Sequence, residues 1–126
     1  MPARLLVVDD ERDICSVLSQ SLKNAGYEVD SFTDPEEALS KFTSGRYALT
    51  LLDIRMPRIN GFDLFEKFQA IDKNIKVCFL TAFDRDLRDE MNSRFPRIQL
   101  RCFLHKPISL QKVVQAINEE LKTEDT

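Results

Sequence analysis

The feature that most constrains the fold is an alternation of two kinds of segment. Short apolar runs, too brief for helices, are separated by longer stretches with apolar residues at helical spacing. The runs are Arg4 to Val8, Glu28 to Phe32, Tyr47 to Leu52, Ile75 to Leu80 and Ile98 to Leu104. The second alternates polar and apolar residues and reads as an edge strand. Between them, Glu11 to Ala25 carries a stripe of Ile14, Val17, Leu18, Leu22 and Ala25, and Gly26 follows as a helix stop. Asp34-Pro35 supplies an N-cap and a first-turn proline to a helix that buries Ala38, Leu39 and Phe42 and closes at Gly45. Asn60-Gly61 opens a third helix to about Ala70, with Phe62, Leu64, Phe65 and Phe68 inward. Asp84 to Arg94 is a weaker helix with Leu87 and Met91 on one side. Ser109 caps the last helix, whose stripe is Leu110, Val113, Val114, Ile117 and Leu121.

Five strands alternating with five helices imply a parallel sheet covered on both faces, joined by right-handed crossovers. The expected fold is α/β: a doubly wound (βα)5, flavodoxin-like three-layer sandwich with strand order 2-1-3-4-5. The 126 residues suffice for one domain, expected over residues 1–122, with 123–126 a polar tail. A net charge of −3 gives no general attraction to nucleic acid. No apolar stretch approaches bilayer-spanning length, and the first strand is shorter than a signal-peptide core. A cytoplasmic location is expected. Cys15, Cys78 and Cys102 are dispersed, which argues against a disulfide framework. With His105 the sole histidine, a structural zinc site is also disfavoured.

In such sheets ligands bind beyond the carboxyl ends of the strands, at the switch in strand order, here between strands 1 and 3. Strand 1 ends in Asp9-Asp10 with Glu11 next, strand 3 in Asp53, strand 4 in Thr81-Ala82 and strand 5 in His105-Lys106-Pro107. Singly, each has an ordinary explanation: a helix cap, a turn hydroxyl, a solvated lysine. Together, three carboxylates converge on one crevice and raise one another's pKa. A hard divalent cation and the Lys106 ammonium would relieve them. Neither GxxxxGK[ST] nor GxGxxG is present, so a nucleotide is not the expected ligand, and there is no GxSxG elbow. Phosphoryl transfer to a carboxylate remains, with Asp53 as nucleophile. Magnesium at Asp10, the Lys106 ammonium and the Thr81 hydroxyl would match the charge on three phosphoryl oxygens.

The residues "LLVVDDE" at 5–11, "LLDIRMPRING" at 51–61, "FLTAF" at 79–83 and "FLHKPI" at 103–108 resemble the receiver domains of two-component response regulators. The resemblance spans about residues 4 to 121. It implies that Asp53 accepts the phosphoryl group and that Asp9, Asp10, Asp53 and the Arg55 backbone carbonyl hold Mg2+, Asp10 more directly than Asp9. It implies catalytic roles for Thr81 and Lys106, a switch formed by Thr81 and Phe103, and a cis Lys106-Pro107 peptide. The donor would be a sensor histidine kinase or phosphotransfer protein. The output would be an unknown partner or domain reached through the helix 4, strand 5 and helix 5 surface. The domain would be no enzyme beyond its own phosphorylation and dephosphorylation. It would bind no nucleic acid or membrane directly and be a monomer or a phosphorylation-dependent dimer.

The chain departs from the family pattern between Thr81 and Lys106. That stretch is a few residues longer than usual, and "RFPRIQLRCF" replaces the Gly-Ala element before strand 5. Arg85, Arg88, Arg94, Arg97 and Arg101 crowd it, either as a solvated face or as a docking surface for an acidic partner. Helix 4 is open to being shortened, shifted or mobile. Arg55 and Phe83 stand where their size would affect adduct lifetime. A phosphorylation-independent interaction module is the alternative. A haloacid dehalogenase-type phosphatase would need a DxD motif after the first strand and a cap insertion, and the sequence has neither there.

Overall fold

Leu5, Leu6, Val7 and Val8 are all fully buried, although their side chains point alternately to opposite sides. Only a strand covered on both faces accommodates such a run. The computed structural model describes residues 2–82 and 85–122. The strands are β1 (Arg4–Val8), β2 (Glu28–Phe32), β3 (Leu49–Asp53), β4 (Lys76–Ala82) and β5 (Phe103–Lys106). They form one parallel sheet in the order β2-β1-β3-β4-β5, with β2 at an edge as expected. The helices are α1 (Arg12–Asn24), α2 (Pro35–Lys41), α3 (Gly61–Ile71), α4 (Arg85–Arg94) and α5 (Leu110–Lys122).

Alternate residues of each strand feed two separate cores. Leu6, Val8, Leu52 and Phe79 pack with Ala38 of α2, Phe62, Phe65 and Phe68 of α3, and Met91 of α4. Leu5, Val7, Leu51 and Leu80 pack with Leu18 and Leu22 of α1 and Val113 and Ile117 of α5. Aromatic rings fill the first core: Phe62 meets Phe79 edge-on at 4.9 Å, and Phe65 meets Phe95 at 5.3 Å. All three cysteines are buried free thiols in the second core.

The expected helix starts carry their caps. Asp34 accepts from the Glu36 backbone N–H at 3.0 Å, and Asn60 accepts from that of Asp63 at 2.9 Å. Gly26 follows α1 with φ +103°, a conformation glycine adopts without penalty.

Four expectations need correction. The strand expected from Tyr47 begins at Leu49, because the Tyr47 hydroxyl reaches back to Asp30 at 2.7 Å and its ring stacks on Phe42. The strand expected from Ile98 begins only at Phe103. Residues 98–102 instead turn, with the Ile98 N–H bonded to the Phe95 carbonyl at 3.1 Å and the Cys102 N–H to that of Gln99 at 2.9 Å. On α1 the buried face runs through Cys15, Leu18, Ser19 and Leu22. Val17 is 50% exposed and Ala25 is also exposed, so neither belongs to it. Gly45 lies beyond the end of α2 at Lys41 and takes positive φ in the following turn.

Helix α4 is anchored at its C-terminal end. Met91 is fully buried, and Arg94 bonds Asp63 at 3.0 Å, Glu66 at 2.6 Å and Glu90 at 2.8 Å while lying over Phe62 and Phe95. Arg101 pairs with Glu120 at 3.0 Å. Of the five crowded arginines, Arg85, Arg88 and Arg97 are exposed.

Candidate functional site

The register of the central strands builds the site. β1 and β3 run side by side to Val8 and Leu52, so the next residues, Asp9 and Asp53, emerge together at the carboxyl edge. Asp9 is fully buried, Asp53 is 3% exposed and Asp10 is exposed. One carboxylate oxygen from each of these three residues lies within 4.8 Å of the others. On β4, Thr81 is fully buried one step beyond Leu80, the register partner of Asp53. Its hydroxyl donates to the Ala82 carbonyl at 2.6 Å. Lys106 ends β5 and reaches across: its Nζ stands 2.7 Å from Glu11, 3.2 Å from Asp9 and 3.5 Å from Asp53. The Lys106-Pro107 peptide is cis.

Phe103 is buried on β5, edge-on to His105 with centroids 5.5 Å apart. Arg55, with an exposed side chain, sits on the loop between β3 and α3. Phe83 and the tail at 123–126 lie outside the described residues.

The electrostatics are unbalanced. Burial, then the neighbouring Asp9 charge, raises the Asp53 pKa from 3.8 to about 7, with Lys106 opposing and Asp10 adding to the rise. Burial also raises Asp9, against the Glu11 N–H and Lys106. Burial works against the charged form of Lys106, yet Glu11, Asp53 and Asp9 push its pKa up to about 12. Asp9 Oδ1 accepts from the Glu11 N–H at 2.9 Å. Asp9 Oδ2 has Lys106 at 3.2 Å but no aligned hydrogen bond. A buried carboxylate oxygen in that state, beside two further carboxylates, fits a hard divalent cation with oxygen preference.

Two contributions to this edge were not legible as site features. In the sequence Gly61 opens a helix and closes the loop that leads away from Asp53, but its close approach to the Asp53 backbone is visible only in the structure. A Cβ there would lie 2.5 Å from the Asp53 carbonyl oxygen and 2.9 Å from Ile54 Cα. The Gly61 N–H also donates to the Ile54 carbonyl at 2.8 Å, so the start of α3 clasps the end of β3. Its position soon after the Asp53 strand end was the available signal. Arg58 adopts φ +73° and pairs with Asp34 at 3.3 Å and Glu36 at 3.7 Å, tying the same loop to the start of α2. No sequence signal marks an arginine for that conformation.

Comparison with known proteins identifies the class to which this doubly wound sheet and acidic edge belong. The family model of the response regulator receiver domain matches residues 5–118, and the chain belongs to that family. The regulatory protein VanRB of Enterococcus faecalis is 38% identical over 122 residues, covering 97% of this chain and 54% of VanRB. The transcriptional regulatory protein PrrA of Mycobacterium tuberculosis is 31% identical, covering 94% of this chain and 50% of PrrA. The chain spans about half the length of the curated relatives it matches. A CheY-like receiver domain protein from Methanospirillum hungatei has a TM-score of 0.83 at 25% identity, covering 99% of this chain and 98% of that one. Response regulator TrrA of Thermotoga maritima, solved in complex with Mg2+-BeF, has a TM-score of 0.78 at 34% identity, covering 94% and 98%. The fold and family are therefore those of two-component signalling. Among the described residues no helix is long and apolar enough to cross a membrane.

Proposed function

We propose that this receiver domain accepts a phosphoryl group on Asp53 in a Mg2+-dependent reaction, from a sensor histidine kinase or phosphotransfer protein in the cytoplasm. The observation that carries this reading is the buried Asp53 carboxylate, under-compensated in charge and flanked by Asp9, Asp10, Lys106 and Thr81. Asp9, Asp10, Asp53 and the Arg55 carbonyl would hold the cation. TrrA supports the assignment, since it was solved with Mg2+-BeF. When bound, Mg2+ would neutralise charge on the carboxylates and on the transferring group.

The chain's own groups then have distinct tasks. The Asp53 carboxylate attacks as the anion: a new O–P bond forms as the donor's N–P bond breaks, and the histidine nitrogen keeps the electron pair. Lys106 offers its ammonium to a phosphoryl oxygen. The Thr81 hydroxyl, which donates to the Ala82 carbonyl, turns to another phosphoryl oxygen. Phe103, buried on β5, would act with Thr81 as the switch whose population the phosphoryl group shifts. The surface of α4, β5 and α5 would report the shift to an output partner or domain. The donor would approach beside Lys106, where Ile14, Val17, Leu18, Pro107, Ile108 and Leu110 line an apolar hollow of about 360 Å³.

Incubation with acetyl phosphate and Mg2+, read by intact mass spectrometry, tests the proposal. One phosphoryl adduct is expected on the wild type and none on Asp53→Asn. No adduct on the wild type, or an equal one on the variant, would remove the reading.

A further inference from the structure

Lys106 touches three carboxylates, and the nearest is not Asp53. Glu11 lies 2.7 Å away, against 3.2 Å for Asp9 and 3.5 Å for Asp53. The Glu11 side chain is 58% exposed, whereas those of Asp9 and Asp53 are almost wholly buried. A surface carboxylate normally gains little from holding a lysine in one geometry.

Local structure explains the arrangement. Glu11 is the N-cap residue of α1, with extended backbone, and its side chain makes no capping hydrogen bond. It forgoes the helix end and reaches a lysine 95 positions away. Its backbone N–H is meanwhile fixed by Asp9 Oδ1 at 2.9 Å. Asp9 thus aims Glu11, and Glu11 holds Lys106.

We propose that Glu11 is a positioning residue: it draws the Lys106 ammonium to the mouth of the crevice and keeps it from closing onto Asp9 and Asp53. This rests on the reading of Asp9, Asp10 and Asp53 as a Mg2+-dependent phosphorylation site. With Glu11 in place, the Asp9 and Asp53 oxygens stay available to a cation. Without it, the nearest anions left to the ammonium are those oxygens, and Lys106 competes with Mg2+ for them. Partners that orient metal ligands from outside the coordination sphere typically change metal affinity by about 10–100-fold. At this exposed position the lower end, about tenfold, is expected.

The experiment is calorimetric titration of Mg2+ into the full chain without a phosphodonor, with circular dichroism as a check on folding. The variants are Glu11→Gln, Glu11→Asp and Lys106→Met, together with Glu11→Gln combined with Lys106→Met. Glu11→Asp keeps the charge on a side chain one methylene shorter. Both single Glu11 variants should bind Mg2+ about tenfold more weakly. In the Lys106→Met background, Glu11→Gln should cost no more than about twofold, leaving only a screened charge effect. Wild-type affinity in Glu11→Asp would show that charge alone matters and would overturn the proposal. An undiminished tenfold penalty in the Lys106→Met background would overturn it too, because Glu11 would then not act through the lysine. If the wild type forms the Asp53 adduct but Glu11→Gln binds Mg2+ normally, only this inference fails. A wild type that neither binds Mg2+ nor forms the adduct overturns both.

Discussion

Asp30 and Asp53 are carboxylates on the same sheet, and their surroundings are opposite. Asp30, on edge strand β2, has Arg4 at 3.0 Å, Arg46 at 3.2 Å and the Tyr47 hydroxyl at 2.7 Å. Burial would raise its pKa, but those three donors outweigh it and the net shift is downward. Asp53, at the end of central strand β3, has Lys106 at 3.5 Å and two neighbouring aspartates, and its pKa is raised to about 7. One carboxylate has more donors than its charge requires, and the other has fewer. The first arrangement is complete in the folded chain. The second would become favourable on arrival of the cation or phosphoryl group proposed above, and that would separate a structural aspartate from a reactive one.

The most severe test of the contrast is Asp53→Asn. The adduct from acetyl phosphate should vanish, while the fold gains stability. A three-unit rise in pKa corresponds to about 4 kcal/mol. The amide recovers part of it, so urea unfolding at pH 8 without Mg2+ should show a gain of about 1–3 kcal/mol. The sign follows from linkage. The folded pKa exceeds the ordinary 3.8, so the native state holds the proton more tightly. The stability tied to that proton is full below 3.8 and is lost as pH rises through 7. The variant's advantage should therefore shrink as pH falls from 8 to 4. A destabilised Asp53→Asn would place Asp53 with Asp30.

Mg2+ gives the next largest effect. At a hundredfold excess over its dissociation constant, the ion should stabilise the wild type by about 2.7 kcal/mol. Thermal unfolding with and without Mg2+ measures it. Asp10→Asn should lose most of the gain and Asp30→Asn none. Equal gains in both variants would mean that the ion binds elsewhere.

Gly61→Ala tests whether the clasp on β3 serves the site. The added Cβ meets backbone atoms, the Asp53 carbonyl oxygen at 2.5 Å and Ile54 Cα at 2.9 Å, and neither can move independently. Overpacking of this kind should cost about 2 kcal/mol in urea unfolding. Adduct formation should slow as well, since the clash falls on the residue proposed as the nucleophile. A stability loss with an unchanged adduct rate would make Gly61 structural only.

The strand order and the acidic edge were legible because both rest on short-range signals. Apolar runs such as Leu5 to Val8 read as buried strands, and the site residues sit at their carboxyl ends: Asp9 directly follows β1, while Asp53, Thr81 and Lys106 fall in the last two residues of β3, β4 and β5. The 98–104 segment misled because Ile98 and Cys102 are apolar for a different reason. Cys102 is buried in the α1–α5 core and Ile98 packs against both cores, but the chain there is turning rather than extended. Val17 has the spacing of a core residue, yet it faces the hollow beside Pro107 and Leu110. The Glu11-to-Lys106 bond spans 95 positions, and no local pattern encodes it.

The smallest expected effect belongs to Asp30→Asn. Arg4, Arg46 and Tyr47 would keep a neutral partner, and at a side chain 27% exposed, solvent screens much of what is lost. The cost should be about 1 kcal/mol in urea unfolding at pH 8, with the acetyl phosphate adduct unchanged. The folded pKa lies below the ordinary 3.8, so Asp30's contribution is present above 3.8 and fades as pH falls through the lower folded value. Wild type and variant should converge below about pH 4, the limit set by the free carboxylate. Asp53 predicts the reverse sense, a variant more stable than wild type and a gap that narrows from pH 8 downward. If both variants moved in the same sense with pH, the two carboxylates would share one electrostatic environment, and the edge of β1 and β3 would lose its claim to be special.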